Sequence, residues 1–596
     1  MKLVPKVISP FRIRQRAIEN DAPGVECEEA VERHRRKCAA SGHGYSTEVY
    51  GGTKHPKGWF SFGRGRDRKV ACCQVRAAAL NAPALAVVSE DDPTVVIPPR
   101  GLQVIEALVF PRPGEDFTRR AASEVQRARL IVGLVRHDAA SRSRAWELPF
   151  RAARAEVARV VTLGLAGFDA TVSKDGVPES GHALRGVQEG LGIYEAPMLR
   201  SDPAGWHELQ RALEAGIAAL EGTSDFDRFD RLGFVTGHAH AITRGLARLQ
   251  RGLRLAESSE PEPWSPGATD IFAAAAIDAG WFAPDFAPEP TPGLVALGRE
   301  LFSDPRLSGT RRRSCATCHR PELAFSDGRA LALVDEGHGI VRNTPTLLNA
   351  GLQLAQFADQ RAAFLELQFA DVMANPREMA LEPEAAVRRL ATDTAILARF
   401  AKAFGRPAQE ALTEQSLSVA VAAYVRSLEA TSSRFDRAVR GDTAAITASE
   451  RRGFNLFMGK AACGTCHFAP LFGGTLPPAF MESEPEVIGV PERAGATPAT
   501  VDEDPGVFAV DSAPLHRHAF KTPTVRNVGL TAPYMHNGVF RTLEEVVDFY
   551  DAGGGNGLGM GLPNQTLSAD SLGLSPQEKR DLVSFMHALT DSSSLR

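Results

Sequence analysis

A mainly α-helical fold is what this sequence predicts, and three observations predict it. Apolar residues recur near a period of 3.6 in one segment after another. A Thr or Ser followed three residues later by Glu opens two of these segments, which is the signature of a capping box. Finally, Cys315-Ala-Thr-Cys318-His319 and Cys463-Gly-Thr-Cys466-His467 repeat one five-residue string. Each string reads as a c-type haem attachment site, the two thiols adding to the haem vinyl groups and the following His ligating the iron. Cys-X-X-Cys alone would also suit a zinc knuckle, but zinc has no need of a His directly after the second Cys. Two covalently bound haem c groups are therefore expected, in two small helical domains preceded by a further helical domain.

The chain has 596 residues, 43% hydrophobic and 23% charged, the balance of a globular protein able to bury a core. A net charge of −4 gives no reason to expect nucleic acid as a partner, and no run of about 18 apolar residues predicts a membrane span. Residues 1–79 differ and read as an irregular basic leader. Their first 76 residues hold 16 Lys and Arg against 8 Asp and Glu, with neither helical nor strand period. No secretory signal is legible there, although covalent haem c is normally attached outside the cytoplasm. A mis-assigned start and a periplasmic location are the expectations that reconcile the two. Cys27, Cys38, Cys72 and Cys73 lie in this leader and receive no role.

Residues 80–283 read as the first helical domain, with 3.6-residue periodicity from Ala152 to Leu163 and from Trp206 to Leu220. His238 and His240 sit two apart, so they face opposite ways on a helix. They are expected at an ordinary solvated helix start rather than at a metal. Pro284, Pro288, Pro290 and Pro292 then favour an extended linker. The first haem domain is expected over 284–435, with Leu417, Val421, Tyr424, Val425 and Leu428 lining a helix. The second is expected over 436–596. There Thr447-Ala-Ser-Glu450 caps the helix that delivers Cys463, and Ser575-Pro-Gln-Glu578 caps the last helix.

From Leu297 onward the chain resembles the bacterial di-haem cytochrome c peroxidases and their MauG-type relatives. The residues that carry this run in order. Gly298-Arg-Glu-Leu-Phe-Ser-Asp-Pro-Arg-Leu-Ser308 comes before the first string and Phe325-Ser-Asp-Gly328 after it. Arg342-Asn-Thr-Pro-Thr-Leu-Leu-Asn349, Asn375-Pro-Arg-Glu-Met379 and Thr522-Pro-Thr-Val-Arg-Asn527 follow. Thr531-Ala-Pro-Tyr-Met-His-Asn-Gly538 and Leu543-Glu-Glu-Val-Val-Asp-Phe-Tyr550 complete the series. The string from Leu80 to Phe110 resembles the imelysin-like helical domain found ahead of the haem domains in some di-haem peroxidases.

The resemblance implies two cytochrome c-like haem domains of unequal function. The first haem, at Cys315, Cys318 and His319, would be the one that meets hydrogen peroxide. Glu378 matches a carboxylate that takes a proton from one peroxide oxygen and returns it to the other, and Gln368 matches its polar neighbour. Read alone, Glu378 is a surface carboxylate. His338 lies on the loop that carries a removable His ligand in the peroxidases, and an exposed loop His is the alternative. The second haem, at Cys463, Cys466 and His467, would hold charge. Tyr550 matches its far-side ligand and Met535 is the competing candidate. One Ca²⁺ between the haems would rest on the Asn343 side chain and the carbonyls of Thr531 and Pro533, neutral oxygens that suit the ion. Asn343 capping a turn is the plainer reading.

One departure stands out: the family's inter-haem Trp is Ala358, in Phe357-Ala-Asp-Gln-Arg361, and Val372 replaces a usual Pro. The function expected is reduction of hydrogen peroxide to water with electrons from a small soluble cytochrome c or cupredoxin. The alternatives are a MauG-type oxidation of residues in a partner protein and a di-haem electron carrier without catalysis. The assembly is left open, a homodimer included.

Overall fold

The structure is a computed structural model that describes residues 87–88, 95–98, 101–110, 118–141, 146–223, 225–255, 262–265, 268, 271–332, 342–483, 485–591 and 593. The basic leader, its four cysteines and His338 lie outside the described residues.

The mainly α fold is as expected. A two-residue hairpin pairs β1 (Val87–Val88) with β2 (Val96–Ile97). It is followed by α1 (Leu102–Val109), α2 (Thr118–Ser141), α3 (Leu148–Arg159), α4 (Gly176–Leu191), α5 (Pro203–Glu221) and α6 (His240–Leu253). Pro203 at the first turn and Asp202, whose side chain accepts from Gly205 N, start α5. Beyond the proline linker come α7 (Pro292–Phe302), α8 (Leu365–Ala374) and α9 (Glu414–Arg426), then α10 (Ala448–Met458), α11 (Leu543–Asp551) and α12 (Pro576–Ala588). Both capping boxes read from the sequence form, at Thr447/Glu450 and Ser575/Glu578. A second small sheet pairs β3 (Pro485–Glu486) with β4 (Phe520–Lys521), Glu486 opposite Phe520.

Each haem segment is built on a helix pair closed over a glycine. On α7, a Cβ at Gly298 would meet Ala420 O and lie 2.9 Å from Tyr424 Cβ of α9. On α10, a Cβ at Gly453 would meet Asp581 O and lie 2.7 Å from Phe585 Cβ of α12. One core occupies the first haem segment, from Leu294 on α7 to Leu417 and Val425 on α9. The other does not follow chain order: Phe150, Val157, Leu213 and Leu246 of the N-terminal helices belong to the same buried cluster as Phe435, Phe454, Phe457 and Phe585. Burial of such side chains contributes about 1.5–3 kcal/mol each.

Polar contacts fix the same junction. Arg231, fully buried, donates from Nε to Leu165 O (2.7 Å) and from Nη2 to Phe226 O (2.8 Å). Asn455 of α10 accepts from Leu232 N at 3.1 Å and donates to Asp230 at 3.0 Å. The histidine pair departs from its expected setting. A π-helical turn, Val235–Ala239, precedes α6; His238 stacks on Phe234 with centroids 5.6 Å apart and His240 is buried. The widened turn shifts the helix face and carries His240 inward.

Candidate active site

A single cavity of about 1110 Å³ is lined by both Cys-X-X-Cys-His strings. Ser314 opens the helical turn Cys315–Cys318 and forms a capping box with Thr317, whose hydroxyl accepts from Ser314 N at 3.0 Å. The His319 ring is held by Nδ1, 3.1 Å from Phe325 O. With the proton on Nδ1 donated to that carbonyl, Nε2 keeps its lone pair for a metal. Burial lowers the ring's pKa, which keeps it neutral and able to ligate. In the second string a 3₁₀ turn, Cys463–Thr465, follows Ala462 in the left-handed region. His467 Nδ1 lies 3.0 Å from Pro523 O and 3.3 Å from Phe472 O, the same device again. None of the four cysteines is in a disulfide, and burial pushes the Cys315 thiol up to about 12.

Around the first string the cavity wall is Phe302, Gln368, Phe369, Val372, Glu378 and Met379. Gln368 and Val372 lie on α8, which ends at Ala374, so the following turn brings Glu378 to the cavity. Asn375 Nδ2 donates to Glu378 Oε1 at 2.7 Å, and Arg313 Nη1 donates to Glu378 O at 2.7 Å. Burial raises the Glu378 carboxyl above its ordinary pKa, Asn375 opposing it. The Glu378 charge is felt at both Cys315 and Cys318, which assigns it to the first string. Such a carboxyl, raised and half-buried beside the Cys315–Cys318 pair, suits proton transfer.

Tyr550, near the end of α11, belongs to the second string. Burial raises its hydroxyl far above the usual tyrosine value, with further contributions from Cys466, Cys463 and Glu486. Met535 lines the same cavity from the loop that places His536 O against Asn343 N (2.6 Å). Asn343, Thr531 and Pro533 all line the cavity too, and Asn343 Nδ2 donates to Arg329 O at 2.6 Å. Among the described residues no cluster of three or more His, Cys, Asp or Glu could hold a metal ion.

Ala358 lines the cavity, its carbonyl accepting from Lys521 N at 2.7 Å, and none of the described tryptophans does. What stands nearby is Phe520 stacked on His536, with centroids 3.9 Å apart. Sequence reasoning missed two cavity residues. Lys521 is partly buried, donates to Gln353 Oε1 and to Ala355 O (3.0 Å), and is lowered to about 8 by desolvation. Its only signal was its place directly before Thr522-Pro-Thr. Glu486, buried with Oε1 3.5 Å from Cys466 Sγ, lies in a stretch without a motif.

The pattern of these groups has counterparts. Residues 292–444 match the family model described as di-haem cytochrome c peroxidase. The methylamine utilization protein MauG of Methylorubrum extorquens is 36% identical over 323 residues, 53% of this chain and 84% of that protein. The chain belongs to the di-haem cytochrome c peroxidase family. Cytochrome-c peroxidase IdrP2 of Denitromonas iodatirespirans is 32% identical over 50% of this chain and 81% of that protein. Cytochrome c551 peroxidase of Nitrosomonas europaea is 34% identical over 43% and 72%. A solved MauG-like protein associated with microbial copper homeostasis is 30% identical over 53% of this chain and 97% of its own, with a TM-score of 0.46. Membership makes this chain a peroxidase-like oxidoreductase of haem c, and no helix among the described residues is long and apolar enough to cross a membrane.

The site fits the cofactor. Each Cys pair is outside any disulfide and borders the cavity beside a His whose Nδ1 is tied to the backbone, and the carboxyl of Glu486 lines that cavity.

Proposed function

We propose that this protein reduces hydrogen peroxide to water with electrons from a small soluble redox protein, a cytochrome c or cupredoxin, in the periplasm. The observation that carries this is one cavity in which Glu378 attends the first string and Tyr550 the second. The first haem would be held by Cys315, Cys318 and His319, the second by Cys463, Cys466 and His467. When bound, the first haem supplies an iron centre for peroxide cleavage and the second a store for an electron. Glu378 takes the proton from one peroxide oxygen and returns it to the departing hydroxide. Asn375 holds the carboxyl in place, and Gln368 orients peroxide from the same wall. Asn343, Thr531 and Pro533 would hold a Ca²⁺, and His338 would be a removable ligand of the first haem.

In this reading 80–283 is an imelysin-like helical domain, 284–435 the peroxidatic domain and 436–596 the electron-transferring one, with 1–79 a leader. Tyr550 favours a second reading, MauG-type oxidation of a partner protein, because a phenolate disfavours reduction of the iron.

The test mixes haem-loaded protein with hydrogen peroxide and reduced cytochrome c. Catalytic oxidation of the cytochrome supports the first reading. Bleaching of the haem spectrum by peroxide without oxidation of any donor supports the second. No reaction with peroxide in either redox state sinks both and leaves an electron carrier.

A further inference from the structure

Buried carboxylates in this protein have partners that stay in place. Asp359 is held by Arg342 and Arg361, Glu366 by Arg426, Asp436 by Arg526, Glu450 by Arg434 and Asp581 by Arg452. Asp591 accepts from the backbone of Ser432 and Ser593. Glu486 differs. Its side chain is buried, borders the large cavity and meets Cys466 Sγ at 3.5 Å. Among the described residues no Lys, Arg or His nitrogen lies within 4 Å of it.

The local fold holds the residue there firmly. Glu486 sits in β3 opposite Phe520 of β4, and the next residue, Val487, donates from N to Thr566 Oγ1 at 3.0 Å and accepts from Thr566 N at 2.9 Å. The backbone that carries the side chain is therefore fixed beside the second string, where the carboxyl meets Cys466.

Attachment of haem removes this partner. When Cys466 adds to a vinyl group the S–H hydrogen goes to carbon, and the thioether that remains cannot donate. A carboxylate left in a low-dielectric wall is costly unless a positive charge offsets it. The charge that attachment brings is that of the ferric iron.

We infer that Glu486 is the counter-charge of the second haem, a tuning residue that lowers that haem's reduction potential without taking part in bond-making. Adding one electron to the iron, supplied by the reductant, places a further negative charge beside this carboxylate, so the ferric state is favoured. Tyr550 acts in the same direction, and together the two make the second haem the more oxidising-state-stable of the pair. The inference rests on the reading that Cys463 and Cys466 carry the second haem.

The experiment is a spectroelectrochemical titration of the haem-loaded full chain, wild type against Glu486→Gln and Glu486→Ala. Both variants should shift the second haem toward the ferrous state at least tenfold in equilibrium constant, 59 mV for a one-electron couple. The first haem should stay where it was. An unmoved second haem in Glu486→Gln overturns the inference, as does a shift confined to Glu486→Ala, which would mark packing rather than charge. A variant with one haem per chain where wild type has two also overturns it, since Glu486 would then serve attachment. One haem per chain in the wild type would instead overturn the reading of the second string itself.

Discussion

Glu378→Gln removes the proton acceptor and little else. Gln keeps the length of the replaced side chain and an oxygen, now of an amide, in the place of Oε1, so the 2.7 Å bond from Asn375 Nδ2 can persist, and the Arg313 bond is to the backbone carbonyl. A positioned acid–base group is worth about 10²–10⁴ in rate. At 1.36 kcal/mol per decade that is about 2.7–5.4 kcal/mol of barrier. Burial also sets the pH at which it acts. The carboxyl is raised above its ordinary value, first by desolvation, so its base form is lost at higher pH than that of an exposed Glu. Peroxide reduction in the wild type should therefore fall as the pH drops through this raised value. In the Gln variant kcat/KM for hydrogen peroxide should be at least 100-fold lower near neutral pH, and that acid limb should vanish. The assay is steady-state oxidation of reduced cytochrome c from about pH 4 to 8, with both haem spectra checked first. A variant within threefold of wild type, or one that keeps the same acid limb, would refute the assignment.

Three further outcomes are expected. Arg526→Met leaves Asp436 buried without its cation, both being under 3% exposed, and should cost about 3–5 kcal/mol, read from urea unfolding. Burial raises the Asp436 carboxyl, but Arg526 outweighs this and holds it below the ordinary value. The pair's stabilisation is thus present near neutral pH and fades as pH falls through that depressed value, and acid unfolding of the variant should begin at higher pH than in wild type. Gly453→Ala forces a methyl against Asp581 O and Phe585, so α10 and α12 must separate at a cost of about 1–3 kcal/mol or more, seen as a lowered Tm. Cys463→Ser with Cys466→Ser should leave one haem per chain by the pyridine haemochrome assay; two would disprove the second attachment site.

What the sequence revealed was local. Thr447 and Ser575 could be read as caps because a capping box is complete within four residues. The haem strings were legible for the same reason. The wall that makes the two strings unequal is assembled from residues far apart, and only the family resemblance pointed to Glu378 and Tyr550. Nothing pointed to Glu486, whose meaning comes from a strand pairing that sets it against Cys466. His240 misled because the π-helical turn before it breaks the 3.6-residue rule from which its exposure was judged. The shared core of Phe150 and Phe454 was equally out of reach, since a periodic apolar face does not name its partner.

That core has a bearing on how the chain can be taken apart. The proline linker looks like the natural place to cut, yet the helices before it pack on residues 435–589 rather than on the segment that directly follows. A fragment starting at Pro292 would bare the apolar faces of α10 and α12 and lose the loop that sets Ala166 against Gly464 of the second string. The molecule is better regarded as a clasp, in which the helices from Leu148 to Leu253 close on residues 435–589. Its folding should then wait on the C-terminus, with the N-terminal helices completed only after the last helix has been made.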